Sequence, residues 1–285
     1  MPCIAIISKP QKEELRDLLP ELLTWLEEHG YETVIDEVSA GYTDQSRVIA
    51  RVDLPQHHPE LVIVLGGDGT LLSAARAFSS TGVPILSVNL GSLGFLTEVR
   101  LEDLYRNLEG WKQGVCQIEE RFMLHCELIR QGERFCSFEA LNDVVISKGA
   151  IARMGDFRVD LDGAFAAAFR ADGVIISTPT GSTGYSLSAG GPILAPNVDA
   201  LIVTPVCPHV LTLRPLVVRG DADLMVSVAG IADQTYLTVD GQEAVALRLG
   251  DQMRCRKSVH TVRLVRLGTT GFFDVLRSKL KWSER

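Results

Sequence analysis

The sequence predicts an α/β N-terminal domain with a parallel sheet, followed by a mostly antiparallel all-β C-terminal domain. Three observations carry this. Apolar runs without polar alternation, Leu61 to Leu65 the clearest, alternate with helical leucine spacing across residues 3–89. Strands buried on both faces look this way when helices cover a parallel sheet. From Val115 onward the texture changes to strand-length β-rich segments punctuated by Gln131-Gly132 and Asp162-Gly163, the punctuation of antiparallel hairpins. Helix-like spacing then returns from Phe272 to Trp282. The expected divisions are 1–115 for the first domain, 116–270 for the β-rich domain, and 271–285 for a helical tail packing back on the first domain.

In chain order, Cys3 to Ser8 reads as a buried strand. Leu15, Leu18, Leu19, Leu22, Leu23 and Leu26 follow at helical spacing, closed by Gly30. Pro20 falls inside that pattern and is expected to kink or split it. Thr33 to Val38, Leu61 to Leu65 and Pro84 to Asn89 supply further parallel strands. In the β-rich part the expected strands are Gln117 to Ile129, Arg134 to Ser147, Phe157 to Leu161, Phe165 to Arg170 and Val174 to Thr178. More β pattern, separated by Arg219-Gly220, Val239-Asp240-Gly241 and Leu249-Gly250, runs to about Leu267.

Composition narrows the class. Lys plus Arg number 28 against 36 Asp plus Glu, a net charge of −8, which argues against nucleic acid as a partner and requires any anionic ligand to be held locally. The N-terminus lacks a signal-peptide pattern and no apolar run approaches the ~20 residues of a membrane span, so a cytoplasmic protein with no membrane partner is expected. Cys3, Cys116, Cys126, Cys136, Cys207 and Cys255 show no metal-ligand or redox spacing and read as buried free thiols.

The chemistry concentrates in a few stretches. Gly66-Gly67-Asp68-Gly69-Thr70 joins the carboxyl end of the Leu61 to Leu65 strand to a helical pattern opening at Thr70. Its glycines suit positive φ and close backbone approach, and the site suits a phosphate. Asp68 is the anomaly, because a carboxylate repels phosphate. It serves a hydroxyl, a metal ion or a proton, or else it forms an Asx turn or helix cap. Asn89 to Leu96 leaves a neighbouring strand at the same sheet edge, so the two loops are expected to wall one cleft. Asn142-Asp143 sets an amide beside a carboxylate, where adjacent strand residues would face opposite ways unless a bulge or strand end intervenes. From Ser177 to Ser186 every residue is Gly, Pro or hydroxyl-bearing, a composition offering donors and backbone N–H groups to a polyhydroxylated, phosphorylated ligand. A flexible linker is the other reading, and Pro179 and Pro192 oppose it. Neither a Rossmann fingerprint nor a P-loop is present.

Taken together in order and spacing, Leu65 to Thr70, Asn89 to Glu98, Leu141 to Asp143 and Ala171 to Leu194 resemble the bacterial NAD kinases over nearly the whole chain. The resemblance implies phosphoryl transfer from ATP to the adenosine ribose 2′-hydroxyl of NAD, giving NADP, with Asp68 as the catalytic base and Gly67 and Gly69 lining the site. It also implies dinucleotide contacts from Asn142, Asp143, Arg153, Arg170, Asp172, Thr183, Gly184, Tyr185, Ser186, Leu187, Ser188 and Gln242. Asp143 stands where that family usually has Glu, and Gly184 where it usually has Ala. A divalent cation, expected to be Mg²⁺ carried on the ATP phosphates without protein ligands, and a homodimer or homotetramer complete the expectation. The alternatives are a lipid kinase of the diacylglycerol or sphingosine type, opposed by the Ser/Thr/Gly segment, and a non-catalytic dinucleotide sensor, opposed by Asp68.

Overall fold

The structure, a computed structural model, describes residues 1–91, 94–97, 99–149, 154–229, 235–266 and 271–282. The chain separates into two compact units, residues 1–120 with 261–285, and residues 121–260. The units divide inside two long strands, whereas the sequence pattern changes near 115 and 270.

In the first unit β1 (Cys3–Ser8), α1 (Leu15–Glu28), β2 (Glu32–Asp36), β3 (Arg47–Ile49), β4 (Leu61–Leu65), α2 (Asp68–Phe78) and β5 (Ile85–Asn89) follow in chain order, with β3 a strand the sequence pattern did not predict. The strands form a parallel sheet in the order β5-β4-β1-β2-β3. A short β6 (Val99–Arg100) adds to β5, and α3 (Leu104–Lys112) follows. Ser8 lies opposite Leu65 and Leu65 opposite Val88, so three strands end level and their loops leave from one rim. Open α/β sheets bind ligands at such a rim.

α1 runs through Pro20 as one helix, so the proline does not split it. The ring removes one hydrogen bond, to a first-turn carbonyl, and an interior proline costs about 3 kcal/mol. Leu15, Leu19, Leu22, Leu23 and Leu26 are all buried against Ile4, Ile6, Ile35 and Ile63. At roughly 1.5–3 kcal/mol for each buried side chain, their burial outweighs the proline.

In the second unit β7 (Gln117–Arg130) and β8 (Glu133–Ala140) form a hairpin whose turn residues, Gln131 and Gly132, both have positive φ, 54° and 84°. That pair of angles marks a type I′ turn, which matches the twist of antiparallel strands. β9 (Asp143–Lys148), β10 (Gly155–Leu161), β11 (Ala164–Ala171), β12 (Gly173–Ser177), the one-turn α4 (Tyr185–Ser188), β13 (Ala200–Val206), β14 (Leu216–Arg219), β15 (Leu224–Ala229), β16 (Thr235–Val239) and β17 (Glu243–Ala246) follow. One sheet runs β14-β13-β12-β9-β16-β17, entirely antiparallel. β10 pairs with β11 and β15, and β15 with β18 (Gln252–Arg266). Alternate residues, such as Val144 and Ile146 or Val174 and Ile176, enter one core with Phe157, Val159, Leu224 and Val226. The residues between them, Val145 and Ile175, point to the opposite faces of their strands and are buried as well.

The expected single strand from Arg134 to Ser147 is two strands in different sheets. The Asp240 carboxylate accepts the backbone N–H groups of Leu141 (3.1 Å), Asn142 (2.8 Å) and Asp143 (3.2 Å), taking donors that a continuous strand would have given to a neighbour. After β18, α5 (Phe272–Leu280) ends the described fold. The cysteines are all free. Cys126 and Cys255 are buried as expected, but Cys207 is exposed, because it lies in the loop after β13 at φ 47°.

Candidate active site

The glycine-rich loop achieves its shape differently from the expectation. α2 begins at Asp68, two residues before Thr70, and its N-cap Gly67 is extended with no side-chain cap. Gly66, Gly67 and Gly69 are not among the described positive-φ residues. At Gly66 the need is room, since a Cβ there would lie 2.4 Å from Thr70 Oγ1.

The Asp68 side chain leaves its own helix and enters the turn at 94–97. Its Oδ2 accepts the Phe95 N–H at 2.9 Å. Its Oδ1 accepts three donors, the Leu96 N–H (3.2 Å), the Thr97 N–H (3.1 Å) and the Thr97 hydroxyl (3.0 Å). Gly94 admits this carboxylate, because any Cβ there would fall 2.0 Å from Asp68 Oδ1. Thr97 is fully buried, and its Oγ1 also accepts a hydrogen bond from Asn89 Nδ2 at 3.1 Å. An amide nitrogen only donates, so the hydroxyl proton is directed at Asp68. Asn89 Oδ1 in turn accepts the Gly91 N–H at 2.8 Å.

A carboxylate has about four acceptor sites. With three donors on Oδ1 and one on Oδ2, the remaining capacity of Asp68 lies on Oδ2. Asp68 lines a hollow of about 280 Å³, walled by both predicted loops and by Lys9, Lys12 and Lys279. Sequence reading missed these lysines. Lys9 and Lys12 carried one usable signal, their position just past the carboxyl end of the first strand.

In the second unit Asn142 and Asp143 stand where β9 starts, which resolves the facing problem. Strand alternation does not yet apply to Asn142. A Cβ on Gly184 would lie 3.7 Å from Asn142 Nδ2 and 3.9 Å from Asp143 Oδ2, so both side chains reach the same neighbourhood. Asn142 Oδ1 is enclosed with no hydrogen-bond partner among the described residues. Asp143 is only 5% exposed, and burial together with the nearby Asp240 carboxylate pushes its pKa up to about 7. Gln242 follows Asp240 and Gly241 in the β16–β17 turn and is exposed.

The Ser/Thr/Gly segment is a folded element rather than a linker. Thr178 Oγ1 donates to the Leu141 carbonyl (2.6 Å) and accepts the Gly181 N–H (3.0 Å), while Ser182 Oγ donates to the Pro179 carbonyl (2.6 Å) and accepts the Leu194 N–H (3.0 Å). Ser186 is fully buried on Thr204 at 2.8 Å. Arg121, 2% exposed, donates to Thr180 at 3.3 Å. Most of the hydroxyls expected to meet ligand therefore hold the segment's own shape. Ser188 and the Tyr185 ring are exposed, and Thr183, Gly184 and Leu187 are half-buried.

Other sequence-predicted residues do not converge on this point. Arg170 pairs with Asp156 at 2.9 Å across the β10–β11 hairpin, and Asp172 pairs with Lys148 at 2.9 Å. Ser177 is opposite Asp143 whereas Gly173 is opposite Ser147, so Asp172 lies roughly 15 Å along the strands from the Asn142-Asp143 end. Gly69 is the second residue of α2. Arg153 lies outside the described residues.

Among the described residues no group of three or more His, Cys, Asp or Glu side chains is arranged to hold a metal ion, and no helix is long and apolar enough to cross a membrane.

Family models for the ATP-NAD kinase N-terminal domain and the ATP-NAD kinase C-terminal domain match residues 4–114 and 141–267. The chain is 76% identical over 282 residues to the NAD kinase of Acidobacterium capsulatum, covering 99% of each. It is 52% identical over 285 residues to the NAD kinase of Koribacter versatilis, covering 100% of each. Of solved structures, yeast NADH kinase complexed with NADH matches with a TM-score of 0.90 at 25% identity, over 100% of this chain and 89% of that one. An NAD kinase from Archaeoglobus fulgidus in complex with ATP matches with a TM-score of 0.77 at 23% identity, over 98% of each, and supports the fold alone.

Proposed function

The chain belongs to the NAD kinase family, enzymes that transfer the terminal phosphoryl group of ATP to the adenosine ribose 2′-hydroxyl of NAD to give NADP, and we propose that Asp68 Oδ2 is the base of that transfer. The observation that carries the assignment is the division of hydrogen bonds on the Asp68 carboxylate. Oδ1 is filled by three donors and Oδ2 by one, so the group is held rigid by one oxygen and available at the other. In the reaction the ribose O–H bond breaks as the oxygen bonds to the γ-phosphorus. Oδ2 takes the proton, and the bond from that phosphorus to the β–γ bridging oxygen breaks, releasing ADP. Phosphoryl transfer asks the protein mainly for positioning and for compensation of phosphate charge.

Asn142, Asp143, Thr183, Gly184, Tyr185, Leu187, Ser188 and Gln242 are the residues we assign to the dinucleotide. The enclosed, unsatisfied Asn142 Oδ1 and the buried Asp143 carboxyl are its polar anchors. Ser186 acts from beneath through Thr204. Asp68 is the sole carboxylate lining this hollow among the described residues. A divalent ion, Mg²⁺ by its preference for phosphate oxygens, belongs to this reading as part of the nucleotide and supplies charge neutralisation there. A cytoplasmic homodimer or homotetramer remains our reading of the assembly, motivated by Tyr185, 46% exposed within the dinucleotide segment.

The test is turnover by the purified protein with ATP, Mg²⁺ and NAD, read as NADP by a dehydrogenase strictly dependent on that product. Formation of NADP that Asp68→Asn abolishes supports the assignment. NADP formation unaffected by that substitution removes Asp68 as base.

A further inference from the structure

We propose that Lys9, Lys12 and Lys279 form a clamp for the donor's phosphate chain in the hollow beside Asp68, an inference that rests on the kinase reading and assigns residues to its donor side.

The first argument is charge. The chain carries a net charge of −8, yet this hollow is lined by three ammonium groups and one carboxylate. That carboxylate already accepts four hydrogen bonds from the 94–97 turn. Lys12 Nζ donates to the Leu90 carbonyl at 3.3 Å, which leaves two of its three donors. The side-chain ammonium groups of Lys9 and Lys279 have no hydrogen-bond or ion-pair partner among the described residues. In an acidic protein, three such cations gathered at the rim beside the reaction's base await an anion from outside.

The second argument is shape. At about 280 Å³ the hollow falls just short of the ~300–1,000 Å³ of sites that enclose whole drug-sized ligands. Among the described residues Leu90 is its one large apolar side chain and none of the lining side chains is aromatic. A purine has nothing to stack on there, whereas a phosphate chain meets ammonium groups and the uncapped N-terminus of α2, whose dipole also favours an anion.

The third argument is placement. The loop carrying Lys9 and Lys12 is stapled by Tyr42, whose hydroxyl accepts the Lys12 N–H at 3.0 Å and donates to the Lys9 carbonyl at 2.9 Å. Lys279 approaches from α5, at the other end of the sequence. Lysine binds phosphate as a point charge, and three of them supply the cationic function that a P-loop lysine gives elsewhere.

The experiment compares Lys12→Ala, Lys279→Ala and the double variant with wild type. Binding of ATP and of inorganic triphosphate is measured by calorimetry with EDTA present, and KM for ATP and for NAD by steady-state kinetics. Lys112→Ala, on exposed α3 surface, is the control. Each single substitution is expected to weaken triphosphate binding and raise KM for ATP about tenfold, the double about a hundredfold, with KM for NAD within about twofold of wild type. Lys279→Arg keeps the charge and should recover most of the affinity. Unchanged triphosphate binding in the double variant overturns the clamp, whether or not NADP is made. Lysine-dependent triphosphate binding in a wild-type protein that makes no NADP keeps the clamp and overturns the kinase reading instead.

Discussion

Asp68→Asn separates the two things Asp68 does. The carboxylate accepts four donors, and asparagine keeps one carbonyl oxygen while replacing the other with an NH₂ that can only donate. With the carbonyl at the Oδ1 position, the Leu96 and Thr97 bonds survive and the Phe95 N–H faces a donor. Leaving that amide unsatisfied costs about 1–3 kcal/mol of stability. At about 2–4 °C per kcal/mol for domains near this size, the melting temperature should fall by roughly 5 °C. Loss of the base costs about 10²- to 10⁴-fold in kcat, about 3–5 kcal/mol of barrier. NAD affinity by calorimetry should change far less, because the proton is taken only as the O–P bond forms. Thr97→Val supplies the comparison, removing one of the four donors while leaving the carboxylate intact. It should cost no more than about tenfold in kcat, with a similar thermal shift. Equal kcat losses in the two variants would show that loop geometry, and not proton transfer, is what Asp68 contributes.

Three further outcomes follow from the geometry. Gly94→Ala drives a methyl group to 2.0 Å from Asp68 Oδ1, so the carboxylate or the turn must move, and kcat should fall at least tenfold with a lowered melting temperature. Asp143 is raised from an ordinary 3.8 to about 7, so the native state holds a proton that the unfolded chain has released. Its stabilisation is complete below pH 3.8 and is lost as pH rises through 7, up to about 4 kcal/mol in all. Asp143→Asn should flatten that slope in urea titrations from pH 4 to 8, and an unchanged slope would assign it to other groups. Arg51 pairs with the fully buried Asp36 and donates from Nη1 to Ser73 of α2 at 2.9 Å, so Arg51→Ala should destabilise the first unit by about 3–5 kcal/mol in denaturant melts.

The sequence by itself determined the features set by near neighbours along the chain. β1 and β4 appear at their predicted bounds, because an unbroken apolar run has one stable use inside a covered sheet. The turns at Gln131-Gly132, Asp162-Gly163 and Asp240-Gly241 adopt the positive φ their residues favour. The fold class followed from the pattern of such segments, and the family from the resemblance carried by the motifs at 65–70, 89–98, 141–143 and 171–194. Only the tertiary structure decided which way the polar groups face. Asp68 is bound by a turn 27 to 29 residues away, and Asp240 splits the strand near Asn142 from 97 to 99 residues away. The hydroxyls of Thr178, Ser182 and Ser186 turn inward, although their composition suggested a ligand surface. Lys279 reaches the rim from the last described helix. A hydrogen bond or a charge reads distance in space, and a buried polar group must be satisfied by whatever the fold brings to it. Periodicity fixes which residues are buried, but the partner of each polar side chain exists only after the chain has closed.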